Sequence, residues 1–159
     1  YQDEDGLLSS YYPLVKATGT IDMSWVTAFL SGGDFDRDPA IMTINDGTNS
    51  VTFEMDDGTN TINAPNIAID DSGDDADEEV NYAENLRHAI EYSSLDISVV
   101  RDGKILTLTH NKPGSIYNIA ITSDSLDNRW GQKISGMSGG AEDEQELNAI
   151  IFPSSSNIT

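Results

Sequence analysis

The chain has 159 residues, 37% of them apolar, which suits one domain with a real core. Its 28 Asp and Glu against 8 Lys and Arg leave a formal charge of −20. Such a surface repels nucleic-acid phosphates and anionic membranes and excludes both as direct partners. With no cysteine there is no disulfide and no thiol chemistry, and the longest apolar island, 25–30, is far short of the roughly 18 residues a membrane span needs. The excess of acid keeps free subunits soluble before assembly, or equally reflects a salty habitat in which cations screen the repulsion. The opening Tyr1, in place of Met, reads as a processed chain or as the ordered part of something longer.

Residues 1–12 join an acidic start to Leu7, Leu8, Tyr11 and Tyr12, more apolar content than a solvated tail carries. They are expected to form an arm that packs on this domain or on a neighbour. From Leu14 the pattern is extended, with Val15, Ala17, Gly19 and Ile21 alternating with polar positions. The stretch 32–39 (GGDFDRDP) is a loop on glycine, aspartate and proline grounds. Ala40, Met42 and Ile44 alternate, Asp46-Gly47-Thr48-Asn49 turns the chain, and Val51, Phe53 and Met55 alternate again. A second DGTN at 57–60, followed by Ile62, Ile67 and Ile69, extends this into an expected β-meander.

Seven of the ten residues from Asp70 to Glu79 are acidic, and they lead into one amphipathic helix over about 75–92. Val80, Ala83, Leu86 and Ile90 share a face, Asp74 or Asp75 is placed to cap, and Asp77 to Glu79 complement the positive end of the dipole. Strands resume with Ile97 and Val99, turn at Asp102-Gly103, and continue with Leu106 and Leu108 to a turn at 112–114. Ile119 and Ile121 begin another strand, Ser135 to Gly140 reads as a flexible linker, and Ile150, Ile151 and Phe152 offer a last strand before a polar tail. The order of strands, one helix and strands predicts an α+β fold, mainly an antiparallel β sheet or sandwich with one amphipathic helix. Residues 14–140 form the single domain, with an arm or extension over 1–13 and an acidic linker, last strand and tail over 141–159.

Asp34, Asp36 and Asp38 stand at alternate positions, as in the first half of a calcium loop. The glycine and glutamate that complete the motif are replaced by Pro39 and Asn45, so a calcium site of another design and a plain solvated loop both stand. His88 and His110 have no ligand-like spacing, and no other cofactor is implied. No Gly-x-Ser-x-Gly elbow occurs, and Gly136 to Gly140 lacks the lysine of a phosphate loop, so no catalytic residues are assigned. Trp25 and Trp130 offer a glycan-stacking surface, against the alternative that single aromatics of a β domain lie in its core. Asn157-Ile158-Thr159 is a glycosylation sequon, relevant only on a eukaryotic or archaeal secretory route.

Taken in order, the 44–54 hairpin (INDGTNSVTFE), the Ala83–Ile90 segment (AENLRHAI), the Leu106-Thr-Leu-Thr strand, the 114–122 turn and strand, and the 134–140 segment (ISGMSGG) resemble a β-rich domain of tailed-bacteriophage structural proteins. That resemblance, covering about residues 40–140, implies a non-enzymatic virion subunit of tail, fibre, baseplate or capsid decoration. Its partners would be copies of itself and other structural proteins, in a homo-oligomer or a helical or icosahedral assembly. Leu7, Leu8, Tyr11, Tyr12, Ile150, Ile151 and Phe152 are the expected assembly contacts. Two alternatives use the same residues differently: an extracellular, pilus-like filament subunit joined by strand exchange, or a glycan-binding surface module.

Overall fold

The computed structural model describes residues 14–26, 40–58, 61–123 and 133–141. The described strands form two four-stranded sheets. The first contains β1 (Lys16–Asp22), β5 (Ile97–Asp102), β6 (Ile105–Pro113) and β8 (Ile134–Ser138), in the order β5-β6-β1-β8, all antiparallel. The second contains β2 (Ile41–Asn45), β3 (Ser50–Met55), β4 (Ile67–Ile69) and β7 (Thr122–Ser123), in the order β4-β3-β2-β7. One helix, α1 (Glu78–Tyr92), precedes β5. The fold is therefore α+β and β-rich, with a sandwich-like pair of sheets.

Alternation drives the strands inward on one face. Ala17, Gly19 and Ile21 of β1, Ile97 and Val99 of β5, and Leu106 and Leu108 of β6 are buried, while their neighbours Thr18, Thr20, Ser98 and Thr107 are exposed. Met42, Ile44, Phe53 and Met55 from the other sheet and Tyr82, Leu86 and Ile90 from α1 join the same core. Each such side chain removed from water contributes about 1.5–3 kcal/mol. Trp25 belongs to that core and is only 8% exposed.

Four sequence expectations change. β4 runs parallel to β3, pairing Phe53 with Ile67 and Met55 with Ile69, so the second DGTN does not close a meander. A parallel neighbour needs a crossover, and between Met55 and Ile67 the chain returns to the level of Phe53, midway along β3. Ser135–Gly140 is not a linker, because 134–138 is the strand β8 against β1. Ile119 and Ile121 are half-buried, and the strand there is only Thr122–Ser123. The cap of α1 is Asp77, whose side chain accepts from the Glu79 N–H at 3.1 Å. Asp75 instead accepts from the Asp77 N–H at 3.0 Å and so shapes the turn before the cap. The buried face of the helix accordingly includes Glu79 and Tyr82, and Val80 is only half-buried.

The glycines of β1 and β8 explain how a Ser/Gly-rich segment becomes a strand. Between Thr18 and Thr20 the β8 register slips, Thr18 facing Ser138 and Thr20 facing Ser135, which is a β-bulge on β8. A Cβ on Gly19 would lie 2.8 Å from the Ser135 carbonyl oxygen and 3.1 Å from Met137 Sδ. Beyond the strand, Asn118 and Gly140 exchange two hydrogen bonds, with Gly140 N–H donating to Asn118 Oδ1 at 2.8 Å and Asn118 Nδ2 to the Gly140 carbonyl at 3.1 Å. Gly19→Ala is expected to lower unfolding stability by about 1–3 kcal/mol through overpacking against β8. Urea denaturation measures this, and an unchanged midpoint would show that β8 is not held in this register.

Candidate functional site

The first Asp-Gly-Thr-Asn turn does more than reverse the chain. Asp46 is 2% exposed, and its carboxylate accepts from the N–H groups of Thr48 (2.7 Å), Asn49 (2.6 Å) and Asp96 (2.7 Å) and from Asn49 Nδ2 (3.2 Å). Asp96 belongs to the segment entering β5, so this carboxylate ties the second sheet to the first. Asn49 Nδ2 adds a bond to the Ser94 carbonyl at 2.9 Å. His110 completes the joint from β6: its Nε2 lies 3.1 Å from the Asp46 carbonyl oxygen, and its ring stacks on Tyr117 at 3.8 Å. Its Nδ1 lies 3.0 Å from both the Lys112 N–H and the Lys112 carbonyl oxygen, so the tautomer with its proton on Nε2 donates to Asp46 and accepts from the Lys112 amide. Burial pushes the Asp46 carboxyl upward, but the backbone donors of Asn49, Asp96 and Thr48 and the Asn49 amide outweigh it and hold the pKa at about 2, against an ordinary 3.8.

Other carboxylates are likewise committed to architecture. Glu54 is fully buried on the outer side of β3, accepting from the Asn63 N–H (3.1 Å), Asn63 Nδ2 (3.2 Å) and Asn66 Nδ2 (2.7 Å). That clamps the crossover loop onto the sheet. Glu84 of α1 accepts from Arg87 Nη2 at 2.6 Å and from Arg101 Nε of β5 at 2.6 Å, which pins the helix to the sheet. The Arg87 hydrogen bond chiefly, with Arg101 beside it and against the opposing effect of burial, holds Glu84 at about 2. Lys104 in the β5–β6 turn reaches Asp77 at 2.9 Å and also pairs with Glu79, joining the helix start to that hairpin. In the acidic run, Asn85 Nδ2 donates to the carbonyls of Asp70 (2.9 Å) and Ser72 (2.8 Å), which folds the run back along the helix.

The expected site residues are placed unevenly. Trp25 is packed in the core, so no open ring face is left for a sugar to stack on; a glycan reading would rest on Trp130, which lies outside the described residues. Asp34, Asp36 and Asp38, and the assembly residues Leu7, Leu8, Tyr11, Tyr12, Ile150, Ile151 and Phe152, also lie outside them. Among the described residues no three or more of His, Cys, Asp and Glu are grouped to hold a metal ion, and no helix is long and apolar enough to cross a membrane. His88 is half exposed on α1, 3.3 Å from Glu84.

What the described surface does offer is one side of the first sheet. β5 is its terminal strand, paired to β6 alone among the described residues, with Val100 at 69% exposed. The backbone groups along its other edge are placed to pair with an added strand. On the outer face of the same sheet, one row runs Ser98, Thr109, Thr18 and Ser138, and the next runs Val100, Thr107, Thr20 and Ser135. Sequence reading passed over these rows because each strand contributes only two ordinary hydroxyl or apolar residues. They line up only once the register is known. No protein-family model, curated protein or solved structure matches this chain.

The joint at Asp46 has a pH signature. Its folded pKa is depressed, so its contribution is full above about pH 4 and is lost as pH falls from 3.8 through 2. Asp46→Asn removes the charged acceptor and is expected to cost about 2 kcal/mol at pH 7. The variant should also lose part of the decline in stability that the parent shows between pH 4 and 2. Urea unfolding at pH 7 and pH 3 tests both; equal stabilities at pH 7 would contradict the assignment.

Proposed function

We propose that this protein is a repeated, non-enzymatic structural subunit of a bacteriophage virion, in a tail or on a capsid surface, that assembles through strand and arm contacts. The observation that carries the reading is the open edge of β5, a six-residue strand paired on one side only among the described residues. An extended segment from a neighbour adds to such an edge through main-chain hydrogen bonds, with alternate side chains supplying selectivity. The chain has two segments of suitable composition: 1–12, with Leu7, Leu8, Tyr11 and Tyr12, and 147–152, with Ile150, Ile151 and Phe152.

Two further features support a structural role. The buried carboxylates Asp46 and Glu54 are saturated by donors that hold loops and sheets in place, which suits a rigid building block. The charge of −20 keeps free subunits apart until enough favourable contacts form at once. The resemblance of residues 40–140 to phage structural domains favours a virion over a cellular filament, which would use the same edge.

Deleting residues 1–12 is expected to abolish assembly, seen by electron microscopy, while circular dichroism and thermal unfolding stay those of the full chain. Unchanged assembly would overturn the role given to the arm.

A further inference from the structure

The two rows on the outer face of the first sheet stand out against the charge of the whole chain. Their eight positions span all four strands and carry no ionisable side chain. Seven are exposed and Thr109 is half-buried. Charge appears only at the borders. Lys16 stands at one end, opposite Pro113, and at the other Asp22 faces Ile105, which faces Asp102. Lys133 reaches Asp22 at 3.3 Å, and beside Ser98 the Asp96 carboxylate accepts from Asn111 and lies 3.4 Å from Lys112, so the border holds three lysines against three aspartates and sums to zero. A shallow groove lined by Thr20, Asp22, Ile105, Lys133, Ile134 and Ser135 lies at that end.

From this charge pattern we infer that the outer face of the β5-β6-β1-β8 sheet is a self-association surface, on which a second copy of this chain packs face to face. The inference rests on the structural-subunit reading and deepens it by naming the partner and the surface. Two bodies of charge −20 repel wherever acidic surfaces approach within a screening length, about 8 Å at physiological salt. A neutral face removes that penalty at the point of closest approach. A twofold contact also sets the Asp22–Lys133 end of each copy where opposite charges can meet. Threonine suits the role: its χ1 is already restricted, so little side-chain entropy is lost on contact, and its methyl and hydroxyl serve both packing and hydrogen bonding.

Four strands about 4.8 Å apart and five residues at about 3.4 Å each give a face of roughly 300 Å². A stable pair buries about 800 Å² per partner. The face is therefore a weak contact by itself, effective when arm contacts raise the local concentration. It belongs to a repeated assembly rather than to an isolated dimer.

The cysteine-free chain makes the test direct. Thr20→Cys and Thr107→Cys, made singly and oxidised at high protein concentration and high salt, are expected to give disulfide-linked dimers well above Ser50→Cys, an exposed control on the other sheet. The double variant Thr20→Glu/Thr107→Glu should lose the salt-promoted rise in sedimentation-average mass while staying folded. Cross-linking no greater than the control would overturn the proposal. So would a Thr20→Glu/Thr107→Glu chain that assembles as the parent does, and in that case the subunit reading would stand. Face-specific cross-links without any larger particle would instead support the face and remove the subunit reading.

Discussion

The fold hangs on a carboxylate that two sheets share. Asp46 closes its own turn through the N–H groups of Thr48 and Asn49 and, through the N–H of Asp96, holds the strand that enters the other sheet. A buried anion is tolerated only when such donors replace its water, and here four of them do. His110 then bonds the carbonyl of the same residue from below, and Tyr117 covers the imidazole. The sandwich thus has a polar pin between its sheets, beside the apolar core. That is a source of specific alignment as much as of stability, since sheets held only by Ile, Leu and Met contacts can slide.

The same economy recurs wherever the chain is charged. Glu54 fastens the crossover loop, Glu84 fastens the helix to β5 through Arg101, and Lys104 fastens the helix start to the β5–β6 turn. Among the described cations, Arg87, Arg101, Lys104, Lys112 and Lys133 are spent on intramolecular pairing near the helix and the sheet ends. The net negative charge is therefore left to the loops and the helix start, while the outer face of the first sheet stays neutral. On the proposed self-association, segregation of this kind would give a strongly acidic chain a preferred direction of approach. Screening by salt relieves repulsion over the rest of the surface without weakening contacts made by threonine and valine.

Much of the architecture was legible in local pattern. The alternation of Met42 and Ile44 with Phe53 and Met55 about an Asp-Gly turn specified a hairpin, and it is there in register. The helix was legible from its acidic start and apolar spacing, although its cap fell two or three residues later than expected. What failed depended on distant partners. The second DGTN has the same letters as the first, but residues 56–66 are long enough to cross back, so β4 lies parallel. Residues 135–140 looked like a linker because small residues usually are, whereas the missing side chain of Gly19 admits the Ser135 backbone, and Gly136 and Gly140 close on Ala120 and Gly114. Trp25 offered both a binding and a core reading, and its burial among Met23, Val26 and the rest of the core follows from packing that one segment does not encode. The roles of Asp46 and His110 were hidden for the same reason, since their partners are 50 and 64 residues away.

Self-assembly is the central functional claim, and electron microscopy with light scattering of the purified chain at low and high salt tests it most directly. Dispersed subunits are expected at low salt and rings, tubes or filaments of regular repeat at high salt, as screening lets neutral faces and strand edges meet. A chain that stays monomeric at every salt and protein concentration would contradict it.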